Sequence, residues 1–141
     1  MTTVRTSYRL QGWNSTQLRL RIPAILTAYG KAVGDEFQEQ IKLVQYPWPR
    51  RTYRKNGTIE DSPRDIVDLG GFLRSQRRER VNATTLRFSW NVPYASLIFS
   101  GYTTNRGNVC PPRNWIKPAL DAQPLDRFFA DQWRALARRS L

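Results

Sequence analysis

Asp68-Leu69-Gly70-Gly71-Phe72-Leu73-Arg74-Ser75 separates a helical first third of the chain from a β-rich middle. Two adjacent glycines stand between apolar residues, where a helix or strand interior would exclude them. The backbone there is expected to need a positive φ or a close approach to a neighbour at Gly70 and Gly71. Asp68 and Ser75 are then the local caps of the turn, and Phe72-Leu73 opens a single helical turn after it.

Upstream of the turn, Leu18, Ile22, Ile25, Leu26, Tyr29, Val33, Phe37, Ile41 and Val44 recur every three or four residues, the stripe of one amphipathic helix. Asn14, Ser15 and Thr16 offer N-cap oxygens. Pro23 either sits in the first helical turn or interrupts a longer helix. Counted from Pro23 to Val44, the helix is roughly 33 Å long, enough to cross a small sheet. Val4 to Gly12 alternates loosely, which predicts a short strand before it. Tyr46-Pro47-Trp48-Pro49 ends the helix.

Downstream, Gln76 to Asn82 and Thr85 to Val92 predict a hairpin turning through Asn82-Ala83-Thr84. Leu86, Phe88, Trp90 and Val92 alternate with Arg87, Ser89 and Asn91, the period of a strand with one buried face. Its partner carries Arg77, Arg78, Glu79 and Arg80, as suits a charged edge strand. Pro93 to Gly101 predicts a short helix on the sheet, Tyr102 to Pro112 a mobile loop, and Arg113 to Leu120 the entry to the last element. Pro124 opens a final helix with Asp126 in its first turn and Arg134, Arg138 and Arg139 in its last, matching the helix dipole. Its apolar stripe is Leu125, Phe128, Phe129, Trp133 and Leu136. The expected architecture is α+β in one domain: a long N-terminal helix packed on a small antiparallel sheet, with a C-terminal helix. Residues 1-15 form an arm or strand, 16-120 the core and 121-141 the final helix.

With 141 residues, 40% of them hydrophobic and 12% aromatic, the chain has the composition of a single folded domain. Its net charge of +12 attracts polyanions. The charge is banded: residues 1 to 34 and 80 to 120 each hold five cations and no acid. Acids gather from Asp35 to Glu79 and after Asp121, a pattern that suits self-assembly as well as nucleic-acid contact. The chain has no histidine and one cysteine, Cys110, which removes histidine-based catalysis, histidine-ligated zinc and an intrachain disulfide. No apolar run approaches the roughly 20 residues of a membrane span, and no signal-peptide core is seen at the start. The expectation is a protein made in a cytosol-like compartment or carried in a particle assembled there.

Few groups invite chemistry. Asp61, Asp65 and Asp68 lie within eight residues, a spacing that can hold Mg²⁺, although carboxylates near turns more often cap backbone donors. Gly70-Gly71 lacks the Lys-Ser/Thr that completes a phosphate-binding loop. Arg50, Arg51, Arg54 and Lys55 interleave with Tyr53 before the turn pair Asn56-Gly57, which offers cations for phosphate and an aromatic for stacking. The plainer reading is an exposed, solubilising loop.

The order of these pieces resembles tail-completion or head-to-tail joining proteins of tailed bacteriophages, related to the lambdoid minor tail component Z. The likeness spans roughly Ile25 to Leu120. Asp68, Gly70 and Ser75 match an Asp-Thr-Gly-x-Leu-x-x-Ser turn, with Leu69 and Phe72 replacing threonine and leucine. Tyr94-Ala95 and Gly101 match a second motif, although Ser100 stands where an acid often precedes the glycine. Arg113, Trp115, Pro118 and Ala119 match a third. The resemblance implies a non-enzymatic virion protein without cofactor or metal, made in the host cytoplasm. It implies a homo-oligomeric, hexameric ring at the neck or head-proximal end of the tail, against neck, tail-terminator, tail-tube or connector proteins and no membrane. Non-specific contact with phage DNA, or contact between rings, would fall to Arg50, Arg51, Tyr53, Arg54, Lys55 and Arg106. The rival expectation is a stand-alone basic nucleic-acid-binding protein; a third is a nuclease using the three aspartates with Mg²⁺.

Overall fold

A computed structural model describes residues 2–6, 15–54, 57–67 and 70–139, with side chains described from 20 to 135 within those ranges. Its longest element, α1 (Ser15–Lys42), runs 28 residues straight through Pro23. Pro23 therefore lies inside a longer helix rather than starting one. Its carbonyl is taken up by Thr27 Oγ1 at 2.9 Å and by Arg80 Nη2 at 2.8 Å. The buried stripe is Ile25, Leu26, Tyr29, Val33, Phe37 and Ile41. Val44 does not belong to it: it lies past the helix end and is 61% exposed.

Two helical glycines on this face set how close the sheet comes. A Cβ at Gly30 would stand 2.6 Å from Leu86 Cδ1 and 2.9 Å from Arg78 Cδ, and one at Gly34 3.2 Å from Phe88 Cε1. Spaced four apart, they form a notch that receives the sheet side chains. Gln76 Nε2 donates to the Gly34 carbonyl at 2.9 Å and pins the contact.

The sheet is antiparallel and three-stranded, in the order β1 (Thr2–Thr6), β5 (Thr85–Trp90), β4 (Gln76–Asn82). Register pairs Thr2 and Gln76 with opposite sides of Trp90, and an irregularity at Arg80/Asn82 leads into the turn. Leu86, Phe88 and Trp90 are buried and the residues between them half-buried, as the period predicts. Strand β4 is the charged edge expected. The N-terminal strand starts earlier than its sequence pattern, and the rest of that prediction, residues 7 to 12, lies outside the described residues.

Aromatic side chains join helix and sheet edge to face. Phe37 meets Phe88 at 5.1 Å and Trp90 at 5.3 Å; Trp90 meets Trp115 at 5.1 Å, and Trp115 meets Phe72 at 4.8 Å and Phe99 at 5.7 Å. Each such pair contributes about 0.5–1.5 kcal/mol beyond its buried area.

Besides α1 and the sheet, the chain forms β2 (Thr52–Tyr53), β3 (Ile59–Glu60), α2 (Gly71–Arg74), α3 (Ala95–Ser100), β6 (Tyr102–Thr103), β7 (Val109–Cys110), α4 (Ile116–Ala122) and α5 (Leu125–Arg139). The segments expected as loops at 49 to 59 and 102 to 112 instead contain two small antiparallel hairpins, β2–β3 and β6–β7. Each strand is two residues long, too short for alternation to register. Both turns close alike. Arg54 N–H donates to Thr58 O and Gly57 N–H to Arg54 O; Thr104 N–H donates to Asn108 O and Gly107 N–H to Thr104 O. In each the glycine has positive φ, 87° and 81°, the geometry that lets a short loop reverse the chain.

Helices α4 and α5 pack back on α1. Asn114 Oδ1 caps α4 by accepting from Ile116 N–H and Lys117 N–H, both at 3.0 Å. Tyr29 meets Phe128 edge to face at 5.4 Å, and its hydroxyl donates to the Gln123 carbonyl at 2.9 Å. The architecture is α+β, with the long N-terminal helix on the antiparallel sheet and a helix at the C-terminus. No described helix is long and apolar enough to cross a membrane.

Candidate functional site

The glycine turn leads into an open cleft. Gly70 precedes α2 with φ 79°, the left-handed conformation expected of it. Gly71 differs: its φ is not in that region, and a Cβ there would meet only Tyr94 Oη at an ordinary 3.6 Å. Only the first glycine is required by the backbone. Ser75 Oγ donates to Phe72 O at 2.6 Å, so it closes the helical turn as expected, while Asp68 lies outside the described residues.

The second motif fixes α3. Ala95 is fully buried, and Tyr94 precedes the helix with 44% of its surface exposed. Gly101 ends the helix at φ 76°, ψ 166°, a conformation essentially reserved for glycine. A Cβ there would stand 2.7 Å from Cys110 O and 2.8 Å from Pro112 N, both backbone atoms. The third motif packs under it: Arg113 N–H donates to Ile98 O at 2.9 Å, Trp115 and Ala119 are fully buried, and Pro118 lies in the first turn of α4.

These pieces surround an open cleft of about 720 Å³, lined among others by Arg64, Arg74, Arg113, Tyr94, Leu97 and Tyr102. It lies where the two small hairpins are rooted. Tyr46 and Arg64 exchange backbone hydrogen bonds at 2.9 Å, Trp48 N–H donates to Ser62 Oγ at 2.9 Å, and Arg64 Nη1 donates to Thr52 Oγ1 at 2.8 Å. The guanidinium carbons of Arg64 and Arg113 lie over the Trp48 ring, 3.8 Å and 4.5 Å from its centroid. An indole face is the aromatic surface best suited to hold a cation that has lost water.

Two cations on one ring disfavour each other. Burial, and then the charge of Arg64, pull the Arg113 guanidinium down to about 10. Burial, and then the charge of Arg54, lower Arg64 as well. At the cleft's edge Tyr102 is pushed up, first by its hydrogen bond with Cys110 and then by burial.

The sequence-predicted nucleic-acid contacts do not form one patch. Arg54 is corrected outright: its side chain is 7% exposed and folds inward, with Nη2 2.7 Å from Asp65 Oδ1 and Nη1 3.8 Å from Glu60. Arg51 Nε donates to Asp61 Oδ1 at 2.9 Å on the surface. Two of the three aspartates proposed for a metal thus face arginines, and the third lies outside the described residues, as does Lys55. Among the described residues no group of three or more acids or cysteines could hold a metal ion. Arg50 and Tyr53 are exposed on or beside the first hairpin, and Arg106 at the tip of the second.

Sequence reasoning named Arg113 only as a motif position, and it missed Arg64 and the partnership of both with Trp48. The available signal was an arginine set between Pro112 and Trp115 in an otherwise apolar run. Compared with protein-family models, curated proteins and solved structures, the chain matches none.

Proposed function

We propose that this protein is a non-enzymatic structural component of a tailed-bacteriophage virion, forming a hexameric ring at the neck or the head-proximal end of the tail. The observation that carries the reading is convergence. Phe72, Ala95, Gly101, Arg113, Trp115 and Ala119 are scattered through the motifs that resemble that family. They pack round the root from which both hairpins extend.

The hairpins present Tyr53 (75% exposed), Ile59 (56%) and Val109 (63%), apolar side chains that a neighbouring protein would cover. A closed ring of head-to-tail contacts needs two unlike surfaces on each subunit. The hairpin end supplies one, and the cationic β4 edge with Arg77, Arg78 and Arg80 supplies a second. Neck, tail-terminator, tail-tube or connector proteins are the partners this reading calls for.

Native mass spectrometry and sedimentation of the purified chain test it. A discrete closed oligomer, and the chain's presence in purified particles, are expected; a monomer at high concentration that is absent from particles overturns it. A second reading, a stand-alone nucleic-acid-binding protein, draws on exposed Tyr53 beside Arg50 and Arg51. It requires DNA affinity that falls steeply with salt and weakens when Arg50 and Arg51 are replaced.

A further inference from the structure

The floor and the walls of the cleft differ in chemistry. At the floor, Arg113 is 5% exposed, and its Nε and that of Arg64 have no hydrogen-bond partner. Among the described residues, the ion pairs of this region go to Arg54 and Arg51, and no carboxylate stands within 4.0 Å of Arg64 or Arg113. The Trp48 face offsets part of the desolvation cost of these two guanidinium groups, and an arriving anion offsets more of it. The walls are largely apolar, with Ile66, Phe72 and Ile98 buried and Leu97 47% exposed, and Arg74 adds a third cation to the lining.

We infer that this cleft is a docking site for a partner protein, and that it receives an acidic side chain flanked by apolar residues. The carboxylate meets Arg113 and Arg64, and the flanking residues cover Leu97 and Tyr94. Charge complementarity selects an anion, and the apolar walls select its carrier. A hydrated sugar-phosphate backbone gains little from the exposed Leu97 and Tyr94, whereas an apolar side chain beside a carboxylate covers them. The inference rests on the cleft alone and holds whether or not the chain closes into a ring.

The minimal probe is phenylbutyrate, a carboxylate with an apolar tail, followed by the arginine Nε–Hε signals in ¹⁵N NMR of the full chain. Saturable displacement of the Arg113 and Arg64 signals is expected with a Kd of about 1–10 mM, the range open to so small a ligand. The neutral amide, phenylbutyramide, should bind at least about ten-fold more weakly, because it cannot supply the charge. Arg113→Gln should abolish the effect. Since that variant alters a buried side chain, Leu97→Glu provides the second arm: it changes an exposed residue, and its carboxylate at the mouth should weaken phenylbutyrate about ten-fold while the fold is kept. The inference fails if no arginine signal moves by about 50 mM, if the amide binds as well as the acid, or if Leu97→Glu leaves affinity unchanged. It also fails if inorganic phosphate or a short DNA duplex occupies the same arginines more tightly than phenylbutyrate, which would mark a nucleic-acid site.

Discussion

The helix–sheet half of the molecule and the hairpin end solve opposite problems. Along α1 the contact with β4 and β5 is close and apolar: Gly30 and Gly34 admit Leu86 and Phe88, and the aromatic chain from Phe88 to Phe72 fills the space beyond. At the hairpin end, charged groups are taken out of water. Arg54 is held by Asp65 and Glu60, and Arg64 and Arg113 by Trp48. The first half gains stability from shape, and its variants should show graded costs. The second depends on named partners, and losing one leaves a charge or backbone group without its counterpart.

The largest effect is expected where backbone meets backbone. Gly101→Ala forces a Cβ into the Cys110 carbonyl and the Pro112 nitrogen at a glycine-only conformation, and should lower unfolding free energy by at least about 3 kcal/mol. Gly70→Ala should cost only about 1–2 kcal/mol, because its Cβ would meet the movable end of Arg74. Denaturant melts of the two variants decide between them, and equal losses would remove the distinction. Asp65→Ala leaves Arg54 with the backbone carbonyl of residue 65 and only the more distant Glu60 as counter-charge, and takes an acceptor from Val67 N–H, so about 2–3 kcal/mol should go.

The helix–sheet half should respond more gently. Gly30→Ala gains about 1 kcal/mol of helix propensity but presses on Leu86 and Arg78; a net loss of about 1–2 kcal/mol is expected, against near neutrality for Gly34→Ala. A loss at Gly34 as large as at Gly30 would show that the notch is tight along its whole length.

A modest effect at neutral pH, with a pH dependence of its own, is expected between α1 and α4. Tyr29 is pushed up to about 12 by burial and then by the charge of Asp126. Below pH 10 its phenol is neutral in folded and unfolded chains, so this stabilisation is complete; it is lost as pH rises from about 10 to 12, where the unfolded phenol ionises first. Tyr29→Phe should cost about 1 kcal/mol at pH 7 through its hydrogen bond to Gln123 and flatten the alkaline decline. The comparison must be made by difference, because Arg113, pulled down to about 10, gains stability over the same window. An unchanged alkaline slope in Tyr29→Phe would contradict this account.

The same division governs what the sequence discloses. Helix α1, the β4–β5 hairpin and α3 follow from period, proline and glycine, because their side chains repeat over enough residues to record which face is buried. The pairing of β1 with β5 joins residues eighty or more apart, and nothing local encodes it. Hairpins with two-residue strands leave no period, so in the sequence both have the character of loops. Buried arginines are harder still. Composition places them on the surface, and only the meeting of Trp48, Arg64 and Arg113 from separate segments draws them inward.

The matched turns of the two hairpins have a consequence for reach. The β2–β3 turn is tied down, since Arg54 at its corner is anchored to Asp65. The β6–β7 turn closes on its own backbone through Thr104, Gly107 and Asn108, with Arg106 exposed at the tip. Doubling the length of that loop would cost only about 0.6 kcal/mol of closure entropy. The second hairpin is thus a limb whose length can change while the core stays as it is, and what the protein touches at that end can be altered one residue at a time.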